Sequence, residues 1–497
     1  MKLSVNVSSV LGVLGALWFV LGVVMLVPAL VGVLYGETAA AWSFFLNSGI
    51  GCGVGGLAWW WFRPKEELGV REGVAVVTLS WLSLSLLGAV PFVTAGVLAN
   101  YTDAFFETIS GFTTTGATIL GGETTPQIEA VPNAFLFWRS LTHWLGGMGI
   151  IVLTLAVLPL LGVGGMQLFK AEAPGPSADK LTPRVKETAR QLWMIYVGLT
   201  VALTLLLLPA MSLFDAINHA LSTMASGGFS TENGSVGQYG SAYIEWVITV
   251  FMMLAGINFA LFYRLLHQQA GFAVRDRELW LYGAILFGAT LLITLGTYAP
   301  LAGPDGSLTY ASFSEALRHA AFQTAAIITT TGFGTADYEM WPSMAMGVIF
   351  LLFFTGGMAG STAGGVKTIR HLLLYKNSYR ELRRLVHPRA IIPLRLNGEV
   401  VPADVMRNVL TFIVLYATLL ALGTLSLSLL GQDLATAASA AMSCIGNVGP
   451  AFGTVGPTEN YAHLPMLAKW VLSFLMLAGR LEILTVLVLF MPTYWRR

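Results

Sequence analysis

A chain of 497 residues that is 55% hydrophobic and 11% charged, with a mean hydropathy of +0.71, is not a soluble globule; ordinary domains carry roughly 25% charged residues. The net charge of +1 excludes little by itself, but the placement of the 27 Lys and Arg residues is informative. The surroundings expected are a lipid bilayer, with no nucleic-acid partner.

Apolar runs of ~20 residues mark helices that cross a bilayer core of ~30 Å. In chain order ten such runs lie near 9–35, 40–62, 73–98, 134–161, 190–213, 243–267, 279–299, 343–376, 404–430 and 464–492. The expected fold is therefore an all-α integral membrane protein of ten transmembrane helices. The first run is too long for a removed signal peptide and lacks its small-residue cleavage site. Trp59, Trp60 and Trp61 end the second run as an interfacial aromatic belt. Cys52 and Cys444 fall in membrane segments, so no disulfide framework is implied.

Basic residues cluster in alternate connections: Arg63, Lys65 and Arg71; Lys170, Lys180, Arg184, Lys186 and Arg190; Arg264, Arg275 and Arg277; then Arg370, Lys376, Arg380, Arg383, Arg384, Arg389 and Arg395. The opposite connections hold only Arg139, Arg318 and Lys469 as exceptions. By the positive-inside rule the basic connections and both termini are cytoplasmic. The outer connections carry acids such as Glu37, Glu129, Glu232, Asp305 and Glu339. Such a face either concentrates cations or is simply a soluble rim.

Four outer connections contain a short segment that cannot span: YTDAFFETISGFTTTGAT, SLFDAINHALSTMASGGFST, SFSEALRHAAFQTAAIITTTGFGT and GQDLATAASAAMSCIGNVGPAFGT. Each begins near an acid (Asp103, Asp215, Glu315, Asp433), continues for about 10–15 mostly apolar residues, and ends in a glycine loop, which suits a re-entrant helix. The chain after the N-terminal helix pair (1–72) thus reads as four repeats of span, short helix, loop and span, at 73–170, 171–270, 271–395 and 396–497. Repetition of this length and weak identity indicates internal duplication, and four units can surround a pseudo-fourfold axis.

Aligned on Gly116, Gly228, Gly332 and Gly449, the loops carry a side-chain oxygen two residues earlier, at Thr114, Ser226, Thr330 and Asn447. Between them stand Thr115, Gly227, Thr331 and Val448. Non-helical backbone at membrane depth is tolerated only around a wet or buried polar space. Glycine accepts the φ values that turn carbonyls inward, and rings of carbonyl oxygens replace the hydration shell of a monovalent cation. The negative C-terminal ends of the short helices favour a cation at the axis.

The loops TTTGAT, SGGFST, TTTGFGT and GNVGPAFG resemble the reduced selectivity filter of the Trk/Ktr/HKT superfamily of cation transporters. Ten spans with an extra N-terminal pair are similar to the Trk branch. The resemblance implies a gated potassium uptake pore of a bacterial inner membrane, with potassium as substrate and no cofactor in this chain. It also implies a filter made by the twelve loop residues named above, glycine in all four loops going with potassium. Flux is then either passive or a symport with protons or sodium. A sodium or non-selective alkali-cation transporter is the alternative, and a membrane-embedded enzyme the reading from another class; an enzyme should cluster polar catalytic groups at one depth, whereas His and Cys are scattered here.

The eighth run contains TGGMAGSTAGGVKTIR. Five glycines, each weakening a helix by about 1 kcal/mol relative to alanine, predict a break there; the plainer reading is a small-residue packing face. The resemblance implies a gate formed by Gly356, Gly357, Gly360, Ser361, Thr362, Gly364, Gly365 and Lys367 beneath the filter. In the last run, Arg480 is a costly intramembrane charge and so a functional candidate, set against pairing with Glu482. The resemblance makes it a barrier in the pore. It further implies a homodimer and a separate cytosolic ring, binding NAD or ATP, docked on the basic loops.

Other signals are declined. GCGVGG (51–56) lies in a span without the strand a dinucleotide fold needs, and GSTAGGVKT misses the phosphate-loop spacing at Val366. His143 and His219 lack metal-ligand spacing and read as packing or hydrogen-bonding residues.

Overall fold

The computed structural model describes residues 5–63, 69–156, 181–266, 275–301 and 308–495. Lys65, Lys170, Lys180 and Asp305 lie outside the described residues, as do the end of the run 134–161 and the expected boundaries at 170 and 270.

The described residues are mostly helical. The chain opens with α1 (Val7–Val24), α2 (Leu26–Leu34) and α3 (Thr38–Trp61), which pack on one another. Gly15, Gly22 and Gly55 let α1 and α3 approach so closely that a Cβ at Gly22 would overlap the backbone of Cys52. The long α4 (Val70–Thr94) leads to the short α5 (Tyr101–Phe112), and α6 (Asn133–Ala156) follows. Next come α7 (Leu181–Leu207), the short α8 (Leu213–Ala225), α9 (Ala242–Ala255) and α10 (Phe259–Leu266). Then α11 (Arg277–Thr297) precedes α12 (Phe313–Ile328), α13 (Ser343–Leu352) and α14 (Thr368–Val386). A two-stranded hairpin (Arg395–Leu396 with Glu399–Val400) leads into α15 (Ala403–Leu429), α16 (Leu434–Gly446), α17 (Met466–Arg480) and α18 (Leu484–Leu487).

Helices α5, α8, α12 and α16 have 12, 13, 16 and 13 residues, too few to cross a bilayer upright. Capping sets where they begin: Asn100 accepts from Asp103 N at 2.8 Å, Ser212 from Asp215 N at 3.1 Å and Asp433 from Thr436 N at 3.0 Å. Asp103, Asp215 and Glu315 stand in first turns, where an acid complements the helix dipole; Asp433 is itself the cap. Every residue of α5 from Asp103 to Phe112 is buried. The largest core cluster surrounds α5 and α16, a second wraps α8, and a third joins α11, α12 and α13. These short helices form the interior although they carry polar groups, because buried Glu107, Asn218, His219 and Gln323 are each hydrogen-bonded there.

Not all ten expected runs are single straight helices. Among the described residues five stretches are long and apolar enough to span, and seven if two bent pairs each count once. The sixth run bends by 94° between α9 and α10, and the last by 113° after Arg480. At the first bend Asn258 caps the new helix, accepting from Ala260 N at 2.9 Å. At the second, Glu482 and Ile483 adopt φ of +66° and +43°, conformations costing about 1–3 kcal/mol each away from glycine. In the eighth run helix ends at Leu352 and resumes at Thr368, so the glycine-rich stretch is the predicted break.

Candidate functional site

Each short helix ends alike. Thr115, Gly227, Thr331 and Val448 donate their N–H groups to the carbonyls of Ser110, Ser222, Ala326 and Ser443, at 2.9, 2.9, 2.8 and 3.0 Å. One residue earlier, Thr114, Ser226, Thr330 and Asn447 have φ of +51°, +57°, +55° and +55°. This is a Schellman C-cap, with a left-handed residue just past the helix. Asn447 adopts that conformation readily, whereas in the β-branched Thr114 and Thr330 it is strained, a cost that the alignment alone did not reveal.

Two residues on, Gly116, Gly228, Gly332 and Gly449 turn left-handed again, at φ of +78°, +83°, +73° and +100°. Glycine is needed twice over, because each Cα faces the neighbouring loop. A Cβ on Gly116 would overlap the carbonyl oxygen of Gly227, one on Gly228 that of Thr331, and one on Gly332 that of Val448. On Gly449 it would stand 2.6 Å from the oxygen of Thr115. The order 116, 228, 332, 449 and back to 116 is closed, so the four loops form a ring. The carbonyl preceding each glycine lies against the glycine of the loop before it in that order. Gly449 differs in that its own carbonyl accepts from Ser443 Oγ at 2.9 Å and Tyr461 Oη at 2.7 Å.

Every junction in the ring is tied. Between the first and second loops, Arg139 bonds Glu107 Oε1 at 2.7 Å and donates to Ser230 O at 3.1 Å, with its guanidinium 4.1 Å from the Phe229 ring centre. His143 Nδ1 donates to Gly111 O at 2.9 Å, leaving Nε2 to accept from Phe229 N at 3.3 Å. Between the second and third, Gly237 N donates to Gly334 O at 3.0 Å and Arg318 pairs with Glu245 at 2.9 Å. Between the third and fourth, Tyr338 Oη donates to Ala451 O at 2.6 Å. Between the fourth and first, Tyr461 N donates to Thr118 O at 2.9 Å, Asn447 Nδ2 to Thr115 Oγ1 at 3.0 Å, and Lys469 pairs with Asp103. Arg139, Arg318 and Lys469, the charge exceptions of the outer connections, are thus each neutralised by a carboxylate.

The glycine-rich stretch packs directly on this ring. Thr362 Oγ1 is 2.9 Å from Ser226 Oγ and donates to Met224 O at 3.0 Å. Gly364 N donates to Thr330 Oγ1 at 2.6 Å, and a Cβ there would meet Gly446 O at 2.6 Å and Asn447 Cβ at 2.9 Å. Three of the four left-handed cap residues therefore touch this one segment. The segment folds back on itself, with Gly356 N donating to Val366 O at 2.8 Å and Thr368 N to Gly357 O at 3.1 Å. Gly360 and Gly365 supply positive φ, and Gly357 fits closely beside Gly256. Ser361 Oγ donates to Met358 O at 2.6 Å, and Lys367 Nζ is bonded to Ala363 O. The bend between α9 and α10 holds the far side, through Met358 N to Gly256 O at 2.9 Å and Phe259 N to Gly360 O at 3.1 Å.

Arg480 is buried beside this segment, donating from Nη1 to Thr362 O at 2.7 Å and from Nη2 to Gly146 O at 3.4 Å. It does not pair with Glu482. That carboxylate binds Arg370, whose guanidinium also lies 3.8 Å from the Phe412 ring centre. Arg370 is accordingly buried and leaves the exposed basic surface expected of 370–395; Arg383, Arg384 and Arg389 remain on it.

On the acidic loops above the ring, Asn233 N donates to Glu129 at 2.7 Å, and Gln238 Nε2 to Glu232 at 2.7 Å. Burial opposes ionisation of Glu129, but the hydrogen bonds from Asn233 and Gln238 outweigh it and hold this carboxyl below its usual range. Burial, and next the charge of Glu129, push the Glu232 carboxyl up.

Residues 43–497 match the family model TrkH, described as a cation transport protein. The chain is 40% identical over 489 residues to the Trk system potassium uptake protein TrkH of Escherichia coli K12, covering 97% of this chain and 98% of that one. It is 41% identical over 503 residues to the protein of the same name from Vibrio parahaemolyticus, covering 98% and 99%. The crystal structure of the potassium transporter TrkH from Vibrio parahaemolyticus superposes with a TM-score of 0.88 at 37% identity, over 99% of this chain and 100% of that one.

Proposed function

The chain belongs to the TrkH family of cation transport proteins, and we propose that it takes up potassium through a pore whose narrowest part is the four-glycine ring. The single observation that carries this reading is the closed order of the loops, each setting the carbonyl before its glycine against the preceding loop's glycine. Carbonyls converging from four sides offer a dehydrating monovalent cation the oxygens it loses from water. The four short helices add their negative ends to the same place.

In this reading the chain crosses the membrane ten times, the bent and broken runs counted as spans. Four repeats surround the pore after the N-terminal pair, with the filter at 114–116, 226–228, 330–332 and 447–449. The stretch from Gly356 to Lys367 is the gate, supported by its contacts with three filter loops. Arg480 holds the gate through the Thr362 carbonyl, and its charge opposes a cation resting just below the ring. The membrane is a bacterial inner membrane, with both termini and the basic helix α14 on the cytoplasmic side. There a homodimer would meet a separate regulatory ring that binds NAD or ATP.

The deciding experiment is flux through the purified protein in liposomes, with potassium, rubidium and sodium gradients compared. Potassium and rubidium passing well ahead of sodium is expected. Equal sodium flux would replace the potassium reading by a non-selective one, and absence of all three fluxes from open-gate variants such as Arg480→Ala would overturn it.

A further inference from the structure

The first turn of α11, the middle of α14 and the 395–400 hairpin border a half-open cavity of about 910 Å³. Among the described residues, Arg275, Arg277, Lys376 and Arg395 line it with a single carboxylate, Asp276. That carboxylate is committed to capping α11, accepting from Glu278 N at 2.8 Å and Leu279 N at 3.1 Å. Lys376 Nζ donates to Arg395 O at 2.8 Å, which ties the hairpin to α14. Among the described residues no carboxylate pairs with the guanidinium of Arg275, Arg277 or Arg395. So much uncompensated positive charge around one hollow fits an anion.

The cavity does not end in water alone. Trp280 lines it and is 64% exposed, and above it on the same helix face stand Phe287, Leu291 and Leu295, all exposed. Spacings of 7, 11 and 15 residues keep these side chains in one stripe. A cationic hollow opening onto an apolar helix face, with a tryptophan at the junction, has the shape of an amphiphile with an anionic head.

We propose that this cavity binds the phosphate headgroup of an anionic phospholipid, with the acyl chains lying along α11. The position gives the lipid a consequence. Glu278, next to Arg277, accepts from Ala359 N at 2.7 Å and Ile369 N at 3.1 Å, so the start of α11 holds both ends of the segment that covers the ring. A bound headgroup that fixes α11 to α14 also fixes that segment. The site rests on the membrane orientation of the proposed function but not on the identity of the ion.

The test uses the purified full chain in detergent, titrated with phosphatidylglycerol or phosphatidylcholine, with retained lipid counted by native mass spectrometry. Wild type should retain phosphatidylglycerol and release phosphatidylcholine. Arg277→Ala and Arg395→Ala should each weaken retention about fivefold, as one lost arginine contact at a membrane surface implies. Arg277→Lys/Arg395→Lys should keep most of it and guards against misfolding of the alanine variants. Arg383→Ala/Arg384→Ala, which removes the same charge from the exposed end of α14, should leave retention unchanged. Wild-type retention by Arg277→Ala/Arg395→Ala, or an equal loss in the Arg383/Arg384 control, overturns the site. Displacement of the lipid by inorganic pyrophosphate at equal concentration would also overturn it, in favour of a soluble anion. Since binding is read without flux, its failure and that of the transport reading are distinguishable.

Discussion

Gly449→Ala tests the ring with one methyl group. The added Cβ would stand 2.6 Å from the Thr115 carbonyl oxygen and 3.0 Å from the Gly116 carbonyl carbon, where even a close carbon–oxygen contact needs ~3.3 Å. Relief therefore requires the Thr115 carbonyl to retreat by about 0.7 Å, a large displacement for an oxygen that the proposed function has coordinating an ion. The φ of +100° adds about 1–3 kcal/mol of backbone strain in alanine, and pushing packed neighbours aside about 1–3 kcal/mol more. Their sum, about 2–6 kcal/mol, lies at or below the ~5–15 kcal/mol that holds an ordinary domain folded. The chain is thus expected to reach the membrane and to lose ordered coordination. The assay is rescue of potassium-uptake-deficient bacteria at low external potassium, followed by liposome flux with potassium and sodium. Gly283→Ala, where nothing lies within 4 Å of the new Cβ, serves as the control and should behave as wild type. Wild-type rate and selectivity in Gly449→Ala would refute the argument that these carbonyls form the conducting ring.

Arg480→Ala removes a charged donor from Thr362 O, a bond type worth about 1.5–3 kcal/mol; open-gate flux should rise about tenfold or more, measured in liposomes, and unchanged flux would remove Arg480 from gating. Thr362→Val should act in the same direction by cutting the contacts to Ser226 and Met224. Arg139→Met strands the Glu107 carboxylate in a buried site and should cost about 3–5 kcal/mol, read as a lower melting temperature that Glu107→Gln partly restores. External acidification should weaken potassium capture, because the raised carboxyl of Glu232 gains its proton first while Glu129 keeps its charge. By linkage the folded state takes that proton more readily than the unfolded chain, so this group's contribution to stability grows as pH falls. A half-saturating potassium concentration in Glu232→Gln as steeply pH-dependent as in wild type would refute that assignment.

Much of the ring was legible in the chain because its requirements are local. An acid, a short apolar stretch, a residue with a side-chain oxygen and a glycine two places later are written within some twenty residues, four times over; the left-handed turn at the third of these appears only in the structure. The break at 355–367 was legible for the same reason, as a run of glycines no helix keeps. The bends after Ala255 and Arg480 were not, since apolar composition continues through both. Nor was the fate of the charges. Arg370 reads as one more cytoplasmic cation and is buried against Glu482, while Arg139, Arg318 and Lys469 read as exceptions and prove to be paired.

Composition and periodicity determined that this chain is helical, apolar over spanning lengths and interrupted by glycine loops, because solvation and backbone sterics act residue by residue. Only the tertiary structure decided that the loops meet in a closed order, that 355–367 lies across three of them, and which carboxylates answer Arg139, Arg318, Arg370 and Lys469. Those are contacts between residues tens to hundreds of positions apart, such as Thr115 with Gly449 and Asp103 with Lys469. Sequence distance carries no record of them, and only the packing of the helices brings them within reach.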